Sequence, residues 1–164
     1  MRTASMLPAF LLFAAAAAQS ASQSTAPASN SASLSSGFAS LSKADQGHVC
    51  AFELKRHAYR VVDAALEATD AKLKREGFMY ARDLSIDAEA LAYRYDDVSD
   101  ARRLQLAQWA EAQEADRVKL RRRECLVLGI AARRSLPPIE AERVHEVGNA
   151  TFVSIIVEVT RSQP

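Results

Sequence analysis

From Ser99 to Arg134 the chain carries no proline and a single glycine, Gly129, and is built largely from Ala, Leu, Gln, Glu, Arg and Lys. These residues lose least on entering a helix. The run predicts one long helix capped by Ser99. Asp96, Asp97 and Asp100 sit near its positive end and Arg133 and Arg134 at its negative end, as the helix dipole prefers. Leu104, Ala107, Ala115, Val118 and Cys125 form one apolar stripe, and Leu106, Trp109, Leu120 and Val127 a second. A helix with two apolar faces lies between neighbours, so the fold is expected to be mainly α: an antiparallel helical hairpin extended to a small three- or four-helix bundle. Trp109 reads first as core and second as a platform for a stacked ligand.

The N-terminal third has a different character. Arg2 is followed by a nearly all-apolar run from Met6 to Ala18 that ends in Ala16-Ala17-Ala18, the pattern of a secretory signal peptide over residues 1–18. That run is shorter than the roughly 20 residues a membrane-spanning helix needs. No later stretch is long and uncharged enough to span, so no transmembrane segment is expected after signal cleavage. Residues 19–42 hold ten serines among twenty-four residues and no charge, which predicts a tether unable to offset the entropy of ordering it. One helical domain is then expected over 43–164, in the periplasm or secreted.

Within that domain Ser42 to Asp45 has the spacing of a helix cap. Cys50, Leu54, Ala58, Val61, Ala65 and Ala68 recur at helical steps, predicting a first helix that runs to Glu76 and stops at Gly77. Ser85 is placed to cap a short helix through Leu91, although Leu91 to Tyr95 also alternates as a strand does. Leu136-Pro137-Pro138 interrupts the pattern, and a further helix can start at Pro138 and run to about Val147 before Gly148-Asn149. Thr151 to Thr160 fits a strand by its β-branched alternation and a helix by the spacing of Phe152, Ile155, Ile156 and Val159.

Cys50 and Cys125 are the only cysteines, and an oxidising compartment makes a disulfide between them the expectation. A hairpin of helices ending near Glu76 and starting near Asp100 puts the two at matching depth. Each also lies on the apolar stripe of its own helix.

Removing Arg2 with the signal peptide leaves 20 basic and 20 acidic residues, so bulk charge points to no nucleic acid. The charges are nevertheless blocked. Asp83, Asp87, Glu89, Asp96, Asp97 and Asp100 oppose only Arg94, while Arg117, Lys119, Arg121, Arg122, Arg123, Arg133 and Arg134 oppose only Glu124. The acidic block is a candidate surface for a cationic protein partner, and the basic block a candidate surface for an anionic membrane or cell wall. There is no nucleophile elbow and no glycine-rich phosphate loop, so no enzyme activity and no cofactor are expected. Glu53 with His57, and Glu142 with His145, stand at helical reach and make a minor candidate metal set.

Two stretches carry a family resemblance. Tyr59-Arg60-Val61-Val62-Asp63-Ala64-Ala65-Leu66 is similar to a Tyr-x-x-x-Asp-x-x-Leu helix, and Ala112-Gln113, Val118, Leu120, Arg121, Glu124 and Cys125 to an Ala-Gln, apolar, Arg, Glu-Cys helix. Together with Leu73 they resemble the LprI-type lysozyme-inhibitor family of small periplasmic helical domains. Arg117 stands where that family has tryptophan, Cys50 lies about a turn further upstream, and the family's additional cysteines are absent. The resemblance implies a disulfide-stapled envelope protein that binds rather than catalyses, with a lysozyme or another cationic enzyme as partner.

Overall fold

Ser42 caps the first long helix as its spacing predicts, its hydroxyl accepting the Asp45 backbone N–H at 3.0 Å. The computed structural model describes residues 37–113 and 115–163, and at 115 and 116 the backbone alone. The signal-peptide segment, residues 1–18, and the tether up to residue 36 lie outside the described residues. Order begins earlier than Lys43: Phe38–Ser40 is a 3-10 turn, and Leu41 is buried against Val49, Leu106 and Ala110. Gln46 holds this turn down by donating from Nε2 to the Leu41 carbonyl at 3.0 Å.

Five helices follow: α1 (Lys43–Glu67), α2 (Ala71–Arg94), α3 (Asp100–Glu111), α4 (Ala115–Arg134) and α5 (Pro138–Ser162). No strand occurs among the described residues. α1 and α2 form an antiparallel hairpin with the most extensive interface in the fold; α4 and α5 each pack on both, and α3 packs chiefly on α1. The main core is made by Leu54, Ala58 and Val62 of α1, Leu84, Ile86 and Leu91 of α2, Ala132 of α4, and Val144 and Ile155 of α5.

Three expected boundaries are overturned. The first helix ends at Glu67, not Glu76, because Asp70 caps a new helix, its Oδ1 accepting from the Lys72 and Leu73 backbone N–H groups at 2.8 and 2.9 Å. α2 runs straight through Gly77. A Cβ there would stand 2.8 Å from the Cβ of Ala65, so this glycine lets α1 and α2 approach near their turn rather than ending a helix. Ser85 caps nothing: it lies inside α2, with its hydroxyl donating to the Ala81 carbonyl at 3.0 Å.

The long helix is also divided. α3 ends at Glu111 and α4 begins at Ala115, with Gln113 Nε2 donating back to the Trp109 carbonyl at 3.1 Å. An unbroken helix from Ser99 to Arg134 would be about 54 Å long. α1, with 25 residues, reaches only about 37 Å. The break lets α3 run along α1 from the Arg102–Asp45 pair, where Nη2 and Oδ2 are 2.9 Å apart, and lets α4 return antiparallel to it. That pair holds the Asp45 carboxyl below the usual carboxylate range. Of the second stripe, Leu106 is buried, but Leu120 and Val127 are 72% and 68% exposed.

The strand alternative for Thr151 to Thr160 is likewise replaced by helix, since α5 continues through Gly148 to Ser162. A Cβ at Gly148 would lie 2.7 Å from the Ile86 Cα, so this glycine seats α5 directly on the α2 backbone. Gly148→Ala should therefore lower the unfolding free energy by about 1–3 kcal/mol in urea denaturation. Gly37→Ala, with nothing within 4 Å, should stay within about 0.5 kcal/mol of the parent.

Candidate functional site

Cys50 of α1 and Cys125 of α4 are joined by a disulfide, with their Cα atoms 4.8 Å apart. The pair does not bridge the two arms of one hairpin, the arrangement the matched-depth expectation assumed; α2 and α3 intervene in the chain, and the bond closes a separation of 75 residues. Constraining so long a loop stabilises on the order of 4 kcal/mol. One turn further along both helices, Arg121 Nη2 donates to Glu53 Oε1 at 2.7 Å, with the side chains 5% and 2% exposed. The Arg121 guanidinium lies 5.2 Å from the Trp109 ring centroid and 5.8 Å from that of Phe38. Trp109 thus stacks on an internal cation, a contact that offsets part of that cation's desolvation.

The next turn opens a recess of about 180 Å³ between the same two helices, lined by Arg56, Arg60, Gln113, Val118, Lys119 and Arg122. Among these described lining residues four are cationic and none is acidic. His57 projects from the same stretch of α1, half-buried, its ring edge-on to Tyr80 of α2 at 5.8 Å. Burial first, then the charges of Arg122 and Arg60, push the His57 imidazole down to about 4, so it is neutral at pH 7. His57 Nδ1 and Arg122 Nε are buried without a hydrogen-bond partner from the protein.

The expected charge blocks do not survive as units. In the basic set, Arg121 is withdrawn into the pair with Glu53, whereas Lys119 and Arg122 line the recess; Arg123 borders a different, shallow groove with Phe38, Gln46 and Val127. Arg117 is exposed, and it and Lys119 have contacts of their own within the chain. Arg56 and Arg60 were not in that set. Their signal was the four-residue spacing that places them on the face of α1 bearing Glu53, visible only once α1 and α4 are known to be neighbours.

The acidic set is split as well. Asp87 is buried beside Arg133, whose Nε lies 3.1 Å from Oδ1 at an ion-pair separation that misses hydrogen-bond geometry. Burial pushes the Asp87 carboxyl up to about 6, against the pull of Arg133 and with a push from Asp83. Asp83 stands 3.7 Å from the same arginine, and Glu89 accepts the Thr151 hydroxyl at 2.9 Å. Asp87 is therefore unavailable to a partner, while Asp96, Asp97 and Asp100 remain exposed around the α2–α3 connection.

The metal set is not assembled. Glu53 is committed to Arg121, His57 faces Tyr80, and Glu142 and His145 are exposed on α5, where His145 Nδ1 lies 3.3 Å from Asn149 Nδ2. No group of three or more potential ligands is clustered among the described residues. Comparisons with protein-family models, with characterised proteins and with solved structures find no match for this chain.

Two outcomes follow from these geometries. Arg121→Met leaves a carboxylate buried without its partner and should cost about 3–5 kcal/mol in urea denaturation with the disulfide intact. The Glu53→Leu/Arg121→Met double variant should recover most of that loss. For Asp87, a raised folded pKa means that the folded chain holds the proton more tightly than the unfolded one. Its stabilising contribution is complete below the ordinary value of 3.8 and is lost as pH rises through about 6. Relative to Asp87→Asn, the parent should lose at most about 3 kcal/mol between pH 4 and pH 7. A pH-independent difference would mean that the carboxyl titrates normally.

Proposed function

We propose that this chain is an exported, non-enzymatic binding protein that engages an anionic envelope surface through the face shared by α1 and α4. The observation that carries this reading is the convergence of Arg56 and Arg60 from one helix with Lys119 and Arg122 from the other, around a recess with no acid among its described lining residues. A solvated helix face spreads its charges outward, whereas here two helices aim theirs at a common space. The disulfide supports export, because such bonds persist in oxidising compartments. No helix among the described residues is long and apolar enough to cross a membrane.

A second reading draws on the exposed carboxylates Asp96, Asp97 and Asp100 and on the lysozyme-inhibitor resemblance: the α2–α3 connection docks a cationic enzyme. Co-sedimentation separates the two. The protein should pellet with vesicles containing phosphatidylglycerol at low salt and not with pure phosphatidylcholine. The bound fraction should fall steeply between about 0.05 and 0.3 M salt, as the screening length drops below about 10 Å. Arg56→Gln/Arg60→Gln should weaken pelleting several-fold. Absence of pelleting at low salt, together with slowed turnover in a lysozyme assay, would favour the second reading.

A further inference from the structure

We infer that the recess between α1 and α4 is an oxyanion site that seats a single tetrahedral phosphate-type group among the guanidinium groups of Arg56, Arg60 and Arg122. This deepens the anionic-surface reading and rests on it for biological context, but it makes a separate claim about the chemical group that is recognised.

Three features lead to it. The first is donor chemistry. Guanidinium forks match the oxygen spacing of phosphate and sulfate and bind them with paired, charge-assisted hydrogen bonds, and Gln113 adds an amide at the same recess. The second is size. A volume of about 180 Å³ holds about six water molecules, enough for a five-heavy-atom oxyanion with one or two waters and well short of a polymer segment.

The third is incomplete satisfaction. Gathering like charges opposes folding unless something returns the cost, and here two buried nitrogens, Arg122 Nε and His57 Nδ1, lack protein partners. A modest rotation of the Arg122 guanidinium towards a bound oxyanion would give Nε an acceptor. The charges facing His57 are Arg60 on its own helix and Arg122 on α4, and Tyr80 of α2 closes the third side. An anion between those arginines would relieve the repulsion that adds to burial in keeping the imidazole neutral. The site is also preorganised: the Glu53–Arg121 pair and the disulfide lie one and two turns away on the same helices, so binding need not order the backbone that carries the arginines.

The test uses the whole disulfide-bonded protein, titrated with inorganic phosphate, then with sulfate, then with chloride at matched ionic strength, by calorimetry and by imidazole resonances in NMR. Phosphate and sulfate should saturate one site while chloride does not. The His57 pKa should rise by about one unit on saturation, as expected for an opposite charge brought within a few ångströms. Arg60→Gln and Arg122→Gln should each weaken binding at least tenfold and abolish the His57 response, with unfolding curves showing that both variants fold; Arg60 is exposed, so its replacement leaves the core untouched.

Saturable binding that ignores both substitutions would place the anion elsewhere and overturn the assignment. If phosphate and sulfate fail while phosphatidylglycerol vesicles still pellet the protein, the oxyanion site falls and the surface reading stands. If phosphate saturates the site but no vesicle is bound, the oxyanion site stands for a soluble phosphate, and the surface reading falls.

Discussion

The packing of α4 against α1 is the contact on which the rest of the structure depends. Neither helix is adjacent to the other in the chain, and their interface is held at successive turns by the Cys50–Cys125 bond and by the buried Glu53–Arg121 pair. A disulfide acts mainly on the unfolded ensemble, by shortening a 75-residue excursion. The ion pair acts differently. Buried charges rarely add net stability over apolar residues of the same shape, but a mismatched register would leave both uncompensated, so the pair penalises wrong alignments. Phe38 and Trp109 complete the arrangement from the N-terminal turn and from α3, which ties two peripheral segments to the same guanidinium.

The recess inherits its geometry from that contact. Once Cys50 meets Cys125 and Glu53 meets Arg121 on antiparallel helices, the next turn brings Arg56 and Arg60 opposite Val118, Lys119 and Arg122. Cations distant in sequence become neighbours without any motif. The same contact removes Arg121 from the surface charge and places His57 where burial and two arginines hold it neutral. At the C-terminal end of α4, Asp87 and Asp83 are drawn to Arg133, so the block structure of the linear charge pattern is partly consumed inside the fold.

The glycines explain why element boundaries were harder to read than element types. Gly77 and Gly148 each follow a convincing amphipathic run, and a glycine in that place commonly ends a helix. Here both lie inside helices, one against Ala65 and the other against the Ile86 backbone, where a side chain would hold the helices apart. Asp70 and the reversal at Ala112–Gln113 are the converse. A lone acidic residue after a threonine, and an unremarkable Ala-Gln step, mark true boundaries because of what lies across from them. The caps at Ser42 and Ser99 and the start at Pro138 were legible, since they depend only on backbone groups within a few residues.

By itself the sequence determined the helical class, because its periodic apolar spacing and helix-forming composition are local properties that few tertiary contexts override. It also determined the means for a single covalent staple, there being only two cysteines. Tertiary structure alone decided which helices meet, and with that which charges are buried, which glycines separate elements and which pack them, and which arginines share a space. Those outcomes depend on pairs of residues tens of positions apart, and the energy of such a pair cannot be read from either partner alone. The α1 half of the recess, Arg56 and Arg60, had only its helical spacing as a local signal, and it became part of a site only when α4 folded back across it.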